Sequence, residues 1–443
     1  TDRMYMHTTR INTKKELRRN PRKEALMARI IFHIDVNSAF LSWTAVEQLK
    51  NGSKVDLREI PAIIGGDQSS RHGIVLAKSS LAKSYGIQTG EPVVNAFRKC
   101  PNLVTAPPNH KMYREKSRML MDFLRTYTKK IEQVSVDECY MDFTGISGRF
   151  ASPVEAAFEI KDEVKKRFGF TVNIGISDVK VLAKMASDFE KPDRVHTLFR
   201  KEIQKKMWPL PISDLFMAGH SSVETLRKLE IQTIGDLAKA DPKLIELHLK
   251  SHGRRLWEFA NGMDDSIVES EKAEAKGVGN STTLSKDVST KEDAQKVLLS
   301  LAQSVGGRLR KHGYHAGVVN VEIKYADFTV NSHQKQLERM TASDQVIYQT
   351  AVELFCEMWN GKPIRLLGIR TSKLSQEGEP QQLSLFDLNF HSSDNISEEV
   401  KSFENSQKHE KLDQALDEIR KKFGKDAVVR ASFLKKPEKE EKM

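Results

Sequence analysis

The sequence predicts a multi-domain chain of mixed α/β and α+β class, and three observations carry that prediction. At 443 residues the chain exceeds what one hydrophobic core normally serves, which points to two to four domains. Between residues 30 and 191, strand-like and helix-like stretches alternate around what reads as a central, palm-like sheet. From 212 to 263 the pattern turns helical and short-looped, and past 277 strands and helices return as a second α+β pattern.

In chain order, the apolar run over 30–36 reads as a buried strand, 45–50 as a short helix, and 62–64 as a strand before the turn residues Gly65-Gly66-Asp67. Residues 79–85 read as a helix stopped by Gly86, and 112–126 has helical periodicity. The stretch 133–143 has strand character interrupted by acids, which predicts a hairpin with its tip near Asp137. An amphipathic helix over 155–168, a strand over 170–177 and a helix over 179–189 follow, the last ended by Lys191-Pro192. In the helical region, Ala218-Gly219-His220-Ser221 resembles the glycine-containing turn of a helix-hairpin-helix, whose amides hold a DNA phosphate. The usual leading glycine of that turn is Met217 here.

Residues 262–279 form a charged, glycine-bounded linker. Beyond it the reading is strand over 278–284, helix over 294–311, strand over 317–325 from the alternation Val319, Val321, Ile323, Tyr325, helix over 345–359 and strand over 364–372. Thr282, Thr283, Lys324, Arg365, Arg370 and Lys373 would set donors and positive charge on one face of this domain. After Ser375 the chain is polar except for Gln382-Leu383-Ser384-Leu385-Phe386, an apolar cluster that reads as a docking peptide or as a segment packed on its own domain. Leu412, Leu416, Ile419 and Phe423 mark one face of a terminal helix closed by Gly424.

Composition narrows the function classes. The net charge of +11 suits a polyanionic partner such as nucleic acid, although a well-solvated surface gives the same number. Cys100, Cys139 and Cys356 form no CxxC pair, which argues for a reducing interior without structural zinc and for core roles. No apolar stretch nears the roughly 20 residues a membrane span needs, and the first thirty residues lack a hydrophobic signal core, so the expectation is a soluble, intracellular protein. Those first residues carry nine Lys/Arg against three Asp/Glu and read as a flexible basic arm.

The chemistry concentrates in two short runs, Phe32-His33-Ile34-Asp35-Val36-Asn37-Ser38-Ala39-Phe40 and Ser135-Val136-Asp137-Glu138-Cys139-Tyr140. Each sets acids into an apolar, strand-like stretch. A buried unpaired carboxylate costs several kcal/mol, so Asp35, Asp137 and Glu138 together fit a divalent-metal site for phosphoryl transfer. Adjacent residues of a straight strand face opposite ways, and a hairpin turn lets Asp137 and Glu138 converge.

These runs, with Gly175-Ile176-Ser177 followed by Lys184 and the 382–386 peptide, resemble the Y family of translesion DNA polymerases over about residues 30 to 390. The resemblance implies a right-hand architecture: a basic arm (1–29), a ferredoxin-like palm (30–38 and 108–191), small fingers (39–107), a helical thumb (192–262), a linker (263–276), an α+β little finger (277–374) and a tail (375–443). It implies that Asp35, Asp137 and Glu138, with the Val36 carbonyl, hold two Mg2+ ions, for which Mn2+ can substitute, bridging the primer 3′ hydroxyl and the incoming triphosphate.

Phe40 stands where the family places an aromatic steric gate against the ribose 2′ hydroxyl, with Ser38 and Ala39 beside it. Lys184 matches a lysine that meets the β and γ phosphates. Ser80 and Lys83 replace the Tyr and Arg of many relatives, a change that keeps a charge but loses the bidentate fork, and Ile74 and Leu76 would cover the nascent base pair. Gly219, Thr282, Thr283, Arg365 and Arg370 would contact primer-template DNA, and Gln382, Leu383, Leu385 and Phe386 would bind the sliding clamp. The implied enzyme is a monomeric, distributive, low-fidelity bacterial polymerase of the cytoplasm and nucleoid. A nucleotidyl cyclase, which shares palm-like sheets but needs no DNA grip, and a catalytically inactive accessory protein are the alternatives.

Overall fold

A computed structural model describes residues 29–66, 73–271, 274–376, 396–424 and 427–428, with only the backbone of 396–408. They divide into two compact units that part at the linker, at about residue 272.

The first unit runs β1 (Ile31–Val36), α1 (Ala39–Lys50), β2 (Ala62–Gly65), β3 (Val75–Lys78), α2 (Ser80–Ser84), α3 (Val93–Lys99), β4 (Val104–Ala106), α4 (His110–Leu124), β5 (Ile131–Gln133), β6 (Glu138–Asp142), α5 (Pro153–Phe168), β7 (Val172–Ser177), α6 (Lys180–Asp188) and β8 (Val195–Thr197). The helices α7 (Ile203–Lys206), α8 (His220–Lys228), α9 (Ile234–Lys239) and α10 (Pro242–Ala260) complete it. Its main sheet has the order β5-β6-β1-β7-β8, so the first acid-bearing strand is central. Phe32, Ile34 and Val36 of β1 enter a core with Leu120, Met121 and Leu124 of α4 and Ile160 and Val164 of α5. By strand alternation Ile31, His33 and Asp35 face the other way, where Ile31 packs with Tyr140 and Ala183 beneath α6.

Gly175 explains how α6 comes so close. A Cβ there would stand 2.0 Å from the Ala183 carbonyl oxygen and 2.5 Å from the Ser187 nitrogen, so any side chain would push α6 off the sheet. The helix expected over 45–50 begins six residues earlier, at Ala39. Ala39 and Leu41 to Val46 are buried, so this helix has no polar face on which a 3.6-residue period could register. A second sheet, β3-β2-β4, carries α2 and α3 on a small core of Ile63, Val75 and Val93.

In the helical region Met217 takes φ +67, the left-handed conformation that glycine adopts freely, at the position where the turn motif lacks its glycine. The element before that turn is a single 3₁₀ turn, Ile212–Asp214. Part of the expected linker is anchored: Asp264 accepts a hydrogen bond from the Val181 nitrogen at 2.9 Å, Glu132 accepts one from the Glu269 nitrogen at 3.0 Å, and Val268 packs beside Ile31 and Tyr140.

The second unit runs β9 (Gly277–Val288), α11 (Lys291–Lys311), β10 (Tyr314–Tyr325), β11 (Val330–Thr341), α12 (Asp344–Met358), β12 (Ile364–Gln376) and α13 (Ile396–Phe423). Its antiparallel sheet has the order β11-β10-β12-β9, and α11 and α12 share a core with the Val319, Val321, Ile323, Leu367 and Ile369 side of it. Strand β11 was not expected from the sequence. It is an edge strand exposed along nearly its whole length, so it carries no apolar alternation and exists by its ladder to β10.

The terminal helix corrects the sequence reading. Leu412, Ile419 and Phe423 are exposed, Phe423 by 67%, whereas Asp413 on another face is only 3% exposed. This acidic face does the docking: Asp413 accepts a hydrogen bond from the Asp344 nitrogen at 2.9 Å, Asp417 pairs with Arg310 at 2.8 Å, and Glu410 accepts from the Ala342 nitrogen at 3.0 Å. Acids thereby meet the unpaired amides at the start of α12. Gly306 makes room, since a Cβ there would lie 2.2 Å from Asp344 Oδ1. Cys100 and Cys139 are buried as expected, but Cys356 is exposed. No helix among the described residues is long and apolar enough to cross a membrane.

Candidate active site

The ladder between β1 and β6 sets Asp35 directly opposite Glu138, and the same face of β7 brings Asn173 beside Asp35 and Gly175 beside His33. Asp137 sits in the tight connection before β6, where its carbonyl accepts from the Val36 nitrogen at 3.0 Å. The three acids therefore gather at the end of β1 by register and by one turn, as the hairpin reading expected. Ser135 shapes the turn: its hydroxyl is 2.5 Å from Asp137 Oδ1 and accepts from the Glu138 nitrogen at 3.1 Å.

Each acid is answered differently. Lys191 pairs with Asp35 and, at 2.8 Å, with Asp188. Lys184 on α6 reaches Glu138 Oε2 at 2.7 Å, and the buried His33 approaches the same oxygen from below at 3.4 Å. Together His33 and Lys184 hold the Glu138 carboxyl down at about 2, while burial pushes His33 below its ordinary value. Among the described residues no lysine, arginine or histidine pairs with Asp137, and burial, then the charges of Asp35 and Glu138, push its carboxyl up. That repulsion is what a divalent cation would relieve, and carboxylate oxygens are the donors such an ion prefers. Among the described residues no three His, Cys, Asp or Glu side chains stand close enough to hold an ion as they are; Asp35 and Glu138 pair with Lys191 and Lys184.

The loop carrying Lys191 is fixed by an asparagine pair that the sequence reading passed over. Asn37 donates to Asn173 at 3.0 Å and accepts from Thr171 Oγ1 at 2.9 Å and from the Asp193 nitrogen at 3.0 Å. Asn173 donates to the carbonyls of Ser187 and Glu190 at 3.0 and 2.7 Å. Lys161 then holds Asp193 at 3.0 Å. Lys191 was read only as the end of a helix; a cation just past a helix that already faces the acids was the available signal.

Phe40 is half-buried and stacked on Tyr113 at 4.3 Å with an interplanar angle of 7°. Thr44 fixes both, donating to the Phe40 carbonyl at 2.7 Å and lying 3.0 Å from the Tyr113 hydroxyl. Ser38, exposed at φ +45, starts α1, whereas Ala39 is buried and offers a ligand no side-chain surface. Ser80 and Lys83 are exposed on α2. Leu76 packs against the same small core as Phe40, that of Leu41, Ala62 and Ile64, but Ile74 is 42% exposed.

In the second unit the register separates residues expected on one face. Thr283 pairs opposite Leu366, on the side away from the helices with Arg370, but Thr282 pairs opposite the core residue Leu367 and lines a cavity with Lys296 and Leu301 of α11. Arg365 and Lys324 bracket the Phe328 ring at 4.8 and 4.9 Å. Gly219 caps α8 with open space where a Cβ would be. Gln382, Leu383, Leu385 and Phe386 lie outside the described residues.

A central sheet with in-register acids, helices on both faces and a separate four-stranded unit is the architecture of a Y-family DNA polymerase. A solved Y-family polymerase chimera of Dbh and Dpo4 covers 79% of this chain, and is itself wholly covered, with a TM-score of 0.67 at 22% sequence identity. Residues 34–188 match the impB/mucB/samB family and residues 275–385 match that family's C-terminal domain. Over 413 residues, 93% of this chain and all of the relative, the sequence is 45% identical to DNA polymerase IV of Clostridium acetobutylicum. It is 36% identical to DNA polymerase IV 1 of Bacillus subtilis over 94% of this chain and 95% of that protein. The chain belongs to the impB/mucB/samB family of Y-family, translesion DNA polymerases and is of the DNA polymerase IV type. It is a DNA-directed DNA polymerase, acting on primer-template DNA and dNTPs with divalent metal.

Proposed function

We propose that this polymerase extends primers by two-metal nucleotidyl transfer at Asp35, Asp137 and Glu138, with low fidelity and processivity, and is held at the primer end by the clamp peptide. The observation that carries the reading is the register of Asp35 against Glu138 with Asp137 in the adjoining turn. Bound divalent cations, Mg2+ or Mn2+, would polarise the primer hydroxyl and offset charge on the leaving pyrophosphate. Asp35, Asp137, Glu138 and the Val36 carbonyl would hold them. Lys191 and Lys184, which pair with the acids, would then turn toward the triphosphate, so the same cations that balance the carboxylates would balance phosphate when substrate binds. Phe40, backed by Tyr113, would lie under the sugar.

The main sheet with α4, α5 and α6 would serve as palm, the small sheet with Ser80 and Lys83 as fingers, the helices from residue 203 as thumb, and the second unit as little finger. Arg370 and Thr283, on the side of its sheet away from the helices, would meet the DNA backbone, and Gly219 would offer its amide to a phosphate. The protein would work as a monomer in the bacterial cytoplasm, near the nucleoid.

The test is primer extension with four dNTPs and Mg2+, comparing the wild type with Asp137→Ala/Glu138→Ala. Template-directed extension that vanishes in the double variant supports the reading. A wild type that binds primer-template and never extends it overturns it in favour of an accessory role.

A further inference from the structure

The stretch between α6 and β8 carries Lys191, and apolar packing does not hold its middle, since Glu190, Lys191, Pro192 and Arg194 are all exposed. Two buried side-chain amides hold it instead. Asn173 donates from Nδ2 to the carbonyls of Ser187 and Glu190, and its Oδ1 accepts from Asn37 Nδ2 and, at 3.2 Å, from the Arg194 nitrogen. Asn37 Oδ1 accepts from the Asp193 nitrogen and from Thr171 Oγ1. Main-chain partners fix which way both amides point: only an oxygen accepts from the Asp193 and Arg194 nitrogens, and only a nitrogen donates to the two carbonyls. Asp193 itself takes φ +64, a left-handed conformation that a non-glycine residue keeps only where its surroundings hold it, and Lys161 and Lys165 each pair with its carboxylate at 3.0 Å.

The same amides belong to the strands that carry the acids. Asn173 stands opposite Asp35 in the ladder of β1 and β7, and Asn37 lies two residues past Asp35, its carbonyl accepting from Ser42 Oγ of α1 at 2.6 Å. We propose that Asn37 and Asn173 are positioning residues for the incoming triphosphate: they lock the main chain at Lys191 to the strand of Asp35, so that the ammonium passes from carboxylate to phosphate by side-chain rotation alone. The inference rests on the reading that Lys191 turns to the triphosphate. An exposed loop that first had to be ordered would subtract its backbone entropy from dNTP affinity, whereas a loop ordered beforehand leaves only the rotamers of one lysine to be fixed. Asparagine suits the task because its amide offers donors and an acceptor at once, and Asn173 meets two carbonyls and one N–H of the same loop.

The experiment measures the Kd of the correct dNTP for the full chain on a primer-template ended by a dideoxynucleotide, read by 2-aminopurine fluorescence in the template, beside thermal unfolding of the same samples. Asn173→Leu keeps the side-chain size and removes the amide, Asn37→Ala cuts the second anchor, and Lys191→Ala removes the cation. The expected result is a Kd raised about ten-fold in Lys191→Ala, the scale of one charge-assisted hydrogen bond, and about three- to ten-fold in each asparagine variant. In the Lys191→Ala background either asparagine change should add less than two-fold, because the residue through which it acts is already gone. Should Asn173→Leu not fold, Asn37→Ala with and without Lys191→Ala decides. Fold-losses that multiply in the double variants show a general structural effect and overturn the proposal. Wild-type affinity in Lys191→Ala sinks the reading of Lys191 and the proposal with it, whereas affinity lost there but kept in the asparagine variants sinks only the role of the asparagines.

Discussion

Glu138 shows how single residues in this site are held ready. With His33 and Lys184 keeping its carboxyl at about 2, below the ordinary 4.5, the folded state favours the ionised form. Such a group contributes stability that is present above about pH 4.5 and lost as pH falls toward about 2. Denaturant unfolding of the metal-free wild type and Glu138→Gln should therefore differ most near pH 6, with the gap narrowing below about pH 4.5 and closing toward about pH 2; a gap independent of pH would refute the pairing. Phe40 makes a separate prediction. Stacked on Tyr113, the ring has a fixed height, so Phe40→Ala should lower the dNTP-over-rNTP ratio of kcat/KM by about 10²-fold or more, the scale of a contact worth about 3 kcal/mol. An unchanged ratio would remove it as the gate.

At the scale of elements, the close seating of helices depends on glycines and buried ions. Gly175 lets α6 bring Lys184 and Ser187 over β1, and Gly306 lets Asp344 meet Arg310 at 2.9 Å. Arg310 is the hub of the second unit: it reaches Asp344, Asp413, Asp417 and the Ala342 carbonyl, joining α11, α12 and α13. Removing one partner from such a cluster leaves buried charges uncompensated, so Arg310→Ala should cost about 3–5 kcal/mol in unfolding of this unit. Truncation before residue 396 should leave Arg310 facing Asp344 without Asp413 and Asp417, and a melting temperature untouched by either change would show that the helix does not dock through its acids.

For the whole molecule, the chain divides into two units, each with its own core; on the proposed reading the first would carry the chemistry and the second the grip on DNA. Clamp tethering would act on the whole molecule by effective concentration, without changing the active site. Deleting residues 382–386 should abolish stimulation by the clamp while leaving distributive synthesis near the wild-type level. Stimulation that survives the deletion would place the contact elsewhere.

The acids, the strand that carries Asp35, the hairpin at Asp137 and the α+β character of the second unit were legible because each leaves a local mark: apolar runs, alternation of period two, a charge where none belongs. Chain order alone determined these. What the tertiary structure decided were properties of neighbours distant in sequence. That Thr282 faces α11 follows from ladder register, and β11 exists because β10 lies beside it. Leu412, Ile419 and Phe423 of α13 point outward, with Leu416 half-buried, because the helix docks by its acids on Arg310 and the start of α12. Lys191, His33 and the asparagine pair gained their roles only when β1, β7 and α6 met, since a buried charge or amide is defined by its partner and not by its position in the chain.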